Sequence, residues 1–408
     1  MDTPQTPAAP PAPAPASAPP PAPQLNFIGV LQHMLAVSDK VSDLIFSPGR
    51  PPQIELVGEL RAVPIAGLEK LLPAHTLMIS KMIMGANQVA AENLDKYGSA
   101  DVSFSAPGLS RFRVNIFRQR GTHAIVMRVI PTRPPQWSDY NLPEVLKEVA
   151  ALKNGLVLVT GPTGSGKSST LAAVIDLINE SKRYHIITIE DPIEFLHNHK
   201  NSTIHQRELH SDTPNFALAL RAALRQAPKV ILVGEMRDRE TIEVALEAAE
   251  TGHLVLSTLH TIDASKTVDR IIGVFPKNEE QSIRTRLAQV FRFIVSQRLL
   301  PRADGQGRIA AIEILKSTSR TREYMERGEA EGRSLIDAME QGELEGMQTF
   351  DGVIEKLVTK GVVTKDEGIS YATNPGNLLL RLSSLGGTEQ PQKNPDEAGK
   401  GSMLDMIE

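Results

Sequence analysis

Polar and apolar residues alternate without a break through Arg111-Phe112-Arg113-Val114-Asn115-Ile116-Phe117, the period-two rhythm of a half-buried strand. Residues 123–130 read as a second strand, and residues 44–46 and 54–63 as two more, around the turn Ser47-Pro48-Gly49-Arg50-Pro51-Pro52. Residues 27–37 and 68–84 space their apolar positions as helices do. These elements predict a small α+β domain over 25–131. Because i and i+2 of a strand share a face, Arg111 and Arg113 are neighbours on one surface.

The rigid run Pro131-Thr132-Arg133-Pro134-Pro135 marks a boundary, and the texture changes after it. Short β-rich runs at 156–160, 186–190, 230–234 and 254–258 are separated by helical stretches. Such alternation predicts an α/β domain with a parallel sheet covered by helices on both faces. Residues 280–297 read as one helix, with Ile283, Leu287, Val290, Phe291 and Ile294 on a packed face and Arg284, Arg286, Arg292 and Arg298 around it. Past Pro301 a strand at 308–315 precedes a helical region. At the two ends the pattern gives out. Residues 1–24 are Pro, Ala, Ser, Thr and Gln with almost nothing to bury, which predicts an extended tail. Residues 386–408 read as a second loose tail, in which Met403, Leu404, Met406 and Ile407 form a short apolar set.

Composition narrows the classes. The 408 residues hold 44 Lys and Arg against 48 Asp and Glu, a formal charge of −4, so the basic excess expected of a nucleic-acid motor is missing. Without cysteine there is no disulfide framework, Cys-ligated zinc or thiol nucleophile. No apolar run approaches the ~18 residues of a membrane span, and no secretory leader pattern opens the chain. The expected location is cytoplasmic.

Candidate chemistry centres on Gly161-Pro162-Thr163-Gly164-Ser165-Gly166-Lys167-Ser168, which fits Gly-x-x-x-x-Gly-Lys-Ser/Thr between a strand and a helix. Glycines let the backbone curl until its amides face inward as an anion nest at a helix N-terminus. Lys167 supplies a positive charge to the β- and γ-phosphates, and the Ser168 hydroxyl suits Mg2+. Carboxylates follow at the ends of two later strands, in Glu190-Asp191-Pro192-Ile193-Glu194 and at Glu235. Parallel sheets bind ligands beyond the carboxyl ends of their strands, so both can face the phosphates. A third strand ends in Ser257-Thr258-Leu259-His260-Thr261, preceded by Thr251-Gly252-His253. A histidine at a strand end can sense a γ-phosphate. His197, His199, His205 and His210 cluster in between without a recognisable metal spacing, and we read them as a solvated loop.

These motifs carry a family resemblance. Residues 161–168 resemble the Walker A box of the secretion and pilus ATPase superfamily, and 189–194 its Asp box. Val233-Gly234-Glu235-Met236-Arg237-Asp238 is similar to its Walker B, and 251–260 to its His box. Tyr184-His185-Ile186, Arg225-Gln226-Ala227-Pro228 and Gly346-Met347-Gln348-Thr349-Phe350 resemble the PilT/PilU-type retraction ATPases of type IV pili, the twitching-motility branch, over about 26–380. The resemblance implies a PAS-like N-terminal domain (25–131), a linker (132–142), a RecA-like P-loop core (143–315), a helical C-terminal region (316–385) and tails at 1–24 and 386–408. It also implies a homo-hexamer that hydrolyses ATP with Mg2+ at the inner face of the cytoplasmic membrane. The implied partners are an inner-membrane pilus platform protein and, as a further one, a second retraction ATPase, with no nucleic acid and membrane association through partners only.

By the same resemblance Glu190 is the general base, Glu235 and Ser168 hold Mg2+, and His253 and His260 sense the γ-phosphate. Arg111, Arg113 and Arg128 reach a bound nucleotide, some across a subunit boundary. Gly161, Pro162, Thr163, Gly164, Ser165, Gly166, Lys167, Ser168 and Ser169 line it. One departure stands out: the family's apolar C-terminal helix motif is replaced by Ser317–Arg327, which has lost most of its apolar stripe. That departure leaves two variants of this function open, a motor that retracts pili alone and an accessory motor that accompanies a second one. The alternative is a pilus-assembly or type II secretion ATPase, whose usual four-cysteine zinc site this chain lacks.

Overall fold

The computed structural model describes residues 25–131 and 133–385; both expected tails lie outside them. The chain divides into two compact units, the first ending at Val129 and the second starting at Ile130.

In the first unit a six-stranded sheet runs β3-β2-β1-β6-β5-β4. Its strands are β1 (Val41–Phe46), β2 (Gln53–Leu56), β3 (Glu59–Ala62), β4 (Ser99–Ala106), β5 (Ser110–Gln119) and β6 (Thr122–Ile130). Phe112, Val114 and Ile116 of β5 are buried with Leu44, Phe46 and Met127 under the helices Phe27–Leu35 and Pro73–Met84. The strict alternation read at 111–117 is therefore the split between a core face and an outer face.

Two expectations need correcting here. Residues 54–63 are a hairpin rather than one strand, because Val57 and Gly58 both take positive φ (53° and 83°), as a tight two-residue hairpin turn requires. The helix expected from 68 begins only at Pro73, since Leu72 before the proline is held extended (φ −92°, ψ 159°).

In the second unit a seven-stranded sheet runs β13-β12-β7-β11-β10-β8-β9. The strands are β7 (Gly155–Thr160), β8 (His185–Glu190), β9 (Thr203–Glu208), β10 (Val230–Val233), β11 (Leu254–Leu259), β12 (Phe291–Pro301) and β13 (Arg308–Lys316). Every residue of β7, β10 and β11 is buried, as expected of strands covered on both faces. Alternate side chains serve two cores. Leu156, Leu158, Ile231, Val233 and Val255 pack against the helices Arg239–Glu250, Ala264–Ile272 and Glu280–Val290. Val157, Val159, Val230, Leu232 and Leu256 pack against Lys167–Ser181 and the 3-10 segment Glu144–Ala151.

Three further expectations change. The sheet is not wholly parallel, since β13 runs antiparallel to β12 at the edge. The helix expected over 280–297 stops at Val290, and from Phe291 the chain is β12, paired to both β7 and β13. The five apolar residues that suggested one helical face do share one core, but two elements supply them: the β-branched and aromatic run from Phe291 makes a better buried strand than helix. Finally, the segment read as a histidine loop contains β9, parallel to β8, with His205 on it. His197 is not solvated: it is half-buried, and burial lowers its pKa to about 4.

Beyond β13, helices Phe350–Thr359, Lys365–Tyr371 and Pro375–Leu385 bury Phe350, Ile354, Val363 and Leu378 against Leu300 and Ala311 of the last two strands. The polar stretch 317–327 still makes a helix, Ser319–Arg327, capped by Thr318 and anchored by buried Thr321 and Met325. Among the described residues no helix is long and apolar enough to cross a membrane.

Candidate nucleotide site

The parallel strands β7, β8, β10 and β11 deliver their carboxyl ends to one edge of the sheet, and the candidate residues gather there. β7 ends at Thr160, and the chain turns through Gly161–Gly166 into the helix that starts at Lys167. Gly161 (φ 143°) admits no side chain, because a Cβ would lie 2.5 Å from the Gln297 carbonyl and 2.6 Å from Ser165 Oγ. Gly164 and Gly166 take φ of 76° and 92° and complete the curl. Pro162, Thr163 and Gly164 are exposed at its rim, and Ser168 and Ser169 are half-exposed on the first helical turn. The buried Ser165 hydroxyl has no hydrogen-bond partner among the described residues.

The Lys167 ammonium is folded back into this turn. It donates to the carbonyls of Gly161 (2.9 Å) and Pro162 (3.0 Å) and lies 3.4 Å from His260 Nδ1. Burial lowers its pKa, while Glu235 and Glu194 pull it back up. On its other side His260 Nε2 is 3.4 Å from Glu235 Oε2, which also pairs with Arg237 Nη2 at 2.6 Å. Lys167, His260 and Glu235 thus form one chain of contacts across β7, β11 and β10. Gly234 holds β10 close to β8: its N–H donates to the Ile189 carbonyl at 2.7 Å, and a Cβ there would press on that oxygen and on Glu190 Cα.

Glu190 closes β8 at the same edge. Its Oε1 accepts from Thr188 Oγ1 (2.6 Å) and Gln206 Nε2 (3.1 Å). Burial pushes its pKa up to about 7; those two hydrogen bonds and the Glu194 main-chain N–H oppose the rise. Neither partner is among the sequence-predicted site residues: Gln206 stands on β9, in the segment the sequence suggests is loop, and Thr188 is an interior residue of β8 two positions before Glu190. The alternation Ile204-x-Gln206-x-Glu208 was the available signal.

His253 does not join this group. It lies just before the start of β11, with Nδ1 on the Ala248 carbonyl (3.0 Å), and an extended strand puts it roughly 20 Å from His260. Arg111, Arg113 and Arg128 belong to the first unit, on the sheet face away from its core. Arg111 donates to Ser105 Oγ (3.1 Å), Arg113 is exposed, and Arg128 pairs with the buried Asp43 at 3.0 Å.

Two other polar contacts frame the site. Glu313 of β13 is buried, accepts from the Ala264 main-chain N–H (2.9 Å) and has its pKa pushed up to about 7 by burial. Arg298 of β12 donates to the Tyr371 carbonyl (2.5 Å) and stacks 3.8 Å over the Phe350 ring. Among the described residues no three His, Asp or Glu side chains converge on a metal-sized site. The histidines His185 and His205 instead bond each other at 2.8 Å.

A glycine nest opening a helix, a lysine within it and acidic strand ends beside it on a mostly parallel sheet define a P-loop ATPase of the RecA-like class. A family model described as Type II/IV secretion system protein matches residues 67–355. The chain belongs to that family. It is 43% identical over 350 residues to the type IV pilus retraction ATPase PilT of Pseudomonas aeruginosa, covering 85% of this chain and 99% of the relative. It is 36% identical over 375 residues to PilU, a type IV pilus ATPase of the same organism, covering 92% and 96%. Among solved structures, the pilus retraction motor PilT with bound ADP superposes with a TM-score of 0.77 at 39% identity, over 88% of this chain and 100% of that one. The Legionella pneumophila ATPase DotB gives 0.72 at 30% identity, over 87% and 96%.

Proposed function

We propose that this protein is a hexameric motor that hydrolyses ATP to retract type IV pili, as a principal or an accessory retraction ATPase. It would act in the cytoplasm at the inner membrane, on a platform protein beneath the pilus. The observation that carries this reading is the constellation of Lys167, His260, Glu235 and Glu190 at one sheet edge, in a chain whose full-length relatives include retraction ATPases.

In this reading the inward amides of 161–167 and the Lys167 ammonium grip the β- and γ-phosphates. The lysine trades two neutral carbonyls for charged oxygens, the stronger acceptors. The Ser165 hydroxyl, unpartnered among the described residues, fits the same polar ligand. Ser168 and Glu235 offer the hydroxyl and carboxylate that suit Mg2+, which keeps several waters and needs few protein ligands. When bound, Mg2+ neutralises charge developing between the β- and γ-phosphates. Glu190 takes the proton of the attacking water as its oxygen bonds to the γ-phosphorus. The bond from that phosphorus to the β–γ bridging oxygen breaks, and ADP leaves with the electron pair. A base with a pKa near 7 suits this task at neutral pH.

His260, between Lys167 and Glu235, is the γ-phosphate sensor, whereas His253 is assigned no phosphate contact in its own subunit. Arg111, Arg113 and Arg128 are proposed to reach a nucleotide, some from a neighbouring subunit, where an arginine finger contributes ~10³–10⁵ in rate.

Turnover and nucleotide affinity of Lys167→Ala and Glu190→Gln test the site, with loss of binding expected in the first and loss of turnover alone in the second. Unchanged turnover in both would sink the assignment. Cells deleted for the gene are expected to carry long, unretracted pili, and normal retraction would refute the motor role.

A further inference from the structure

We infer that Thr188 and Gln206 are positioning residues for Glu190, fixing its carboxylate for the attacking water from a strand pair rather than from the phosphate loop. This rests on the reading of Glu190 as general base. Both side chains donate to the same oxygen, Oε1, from different directions: Thr188 from two residues earlier on β8, and Gln206 from the neighbouring edge strand β9. The parallel register sets Thr188 opposite Gln206 and Glu190 opposite Glu208, so the geometry is built into the strand pairing.

Neither donor is free to drift. Thr188 is fully buried in β8. Gln206 is held at three points: its amide also donates to the Phe195 carbonyl (2.9 Å), and its Oε1 accepts from the His197 main-chain N–H (2.8 Å). A planar amide so fixed can present its second N–H in one direction only, towards Glu190. The orientation of a base within hydrogen-bond reach governs proton transfer, and small misplacements far from the chemistry cost large factors in rate. Other charged groups near this carboxylate do different work. Glu208 accepts from the Ile193 main-chain N–H, Glu235 pairs with Arg237, and Glu194 offers its main-chain N–H.

The test uses the full chain with ATP and Mg2+, and the variants Thr188→Val, Gln206→Leu, Thr188→Ser and Glu190→Gln, alone and combined. Thr188→Val and Gln206→Leu should each lower kcat about tenfold or more while KM for ATP stays within about twofold, because the phosphate grip is untouched. Thr188→Ser, which keeps the hydroxyl, should recover most of kcat. In the Glu190→Gln background neither change should lower the residual rate further, since residues acting as one unit are not additive. Wild-type kcat in both single variants with an inactive Glu190→Gln overturns the positioning role and leaves the base intact. Wild-type kcat in Glu190→Gln overturns the base, and this inference with it. Parallel losses in kcat, affinity and melting temperature that Thr188→Ser does not rescue would reduce the pair to ordinary packing.

Discussion

A carboxyl group that titrates near neutrality lends the pH dependence of turnover a definite sign. With its pKa about 7, Glu190 gains a proton as the medium turns acid and can no longer accept one. The value of kcat/KM should therefore fall about tenfold per pH unit on the acid limb. A pH–rate profile checks this, and the limb should be missing from the residual rate of Glu190→Gln. The neighbouring loop makes a second residue-scale prediction. Gly161→Ala would bring a Cβ against the Gln297 carbonyl at 2.5 Å and force a non-glycine residue to φ 143°. Nucleotide affinity, measured by calorimetry, should be lost while most of the fold survives.

The loop was legible in the sequence because a phosphate nest is local: its glycines and lysine must stand at set intervals. Glu190, Glu235 and His260 were legible as strand ends. His253 and His260 belong to one compact box in the sequence, 251–260, but in extended chain they flank opposite ends of β11. Gln206 is hidden in the sequence because its bond to Glu190 exists only once β9 pairs with β8, whereas Thr188 shares a face of β8 with Glu190 and its i, i+2 spacing is the local signal.

At the scale of elements, most errors in reading the chain lay where one apolar pattern suits two structures. The five apolar residues 283–294 satisfy a helix and a helix-then-strand equally well, and only pairing to β7 and β13 decides between them. β9, which carries His205, is hard to see in the sequence since an edge strand needs fewer apolar residues than a central one. Glu313 illustrates the energetic side of such joints. It anchors β13 to the start of the helix Ala264–Ile272, and its folded-state pKa, about 7, exceeds the ordinary carboxylate value of 4.5. The unfolded chain thus loses its proton first. The stability contributed by the neutral form is full below about pH 4.5 and is lost as pH rises through 7. Glu313→Gln, neutral at every pH, should gain on the wild type between pH 5 and pH 8 in melting experiments. The helix Ser319–Arg327, despite its polar sequence, depends on Met325, which is 1% exposed. Met325→Ala should cost about 2–5 kcal/mol in denaturant unfolding, the usual range for a buried methionine.

For the whole molecule, the proposed work requires a ring. Light scattering of the purified protein with a non-hydrolysable ATP analogue should report six copies of the 44.4 kDa chain; a monomer would contradict the hexamer. With a net charge of −4 and no basic block, the protein should show no salt-sensitive affinity in a DNA titration at two ionic strengths. The two-unit architecture was legible from the shift in texture near residue 131, since a meander of antiparallel strands and an alternation of strands with helices leave different rhythms in a chain. Strand order was not, because β7 lies between β11 and β12 and β8 beside β10, pairings between strands that do not follow one another in sequence.

The back-folded lysine colours how any change at that position will be interpreted. Its ammonium bridges two carbonyls of the very turn it serves, so it acts as an internal strut as well as a hook for phosphate. Cutting it away removes both at once, and the drop in affinity will exceed the worth of one positive charge. Comparing the empty proteins by amide exchange across 161–167 would separate the slackened turn from the missing attraction.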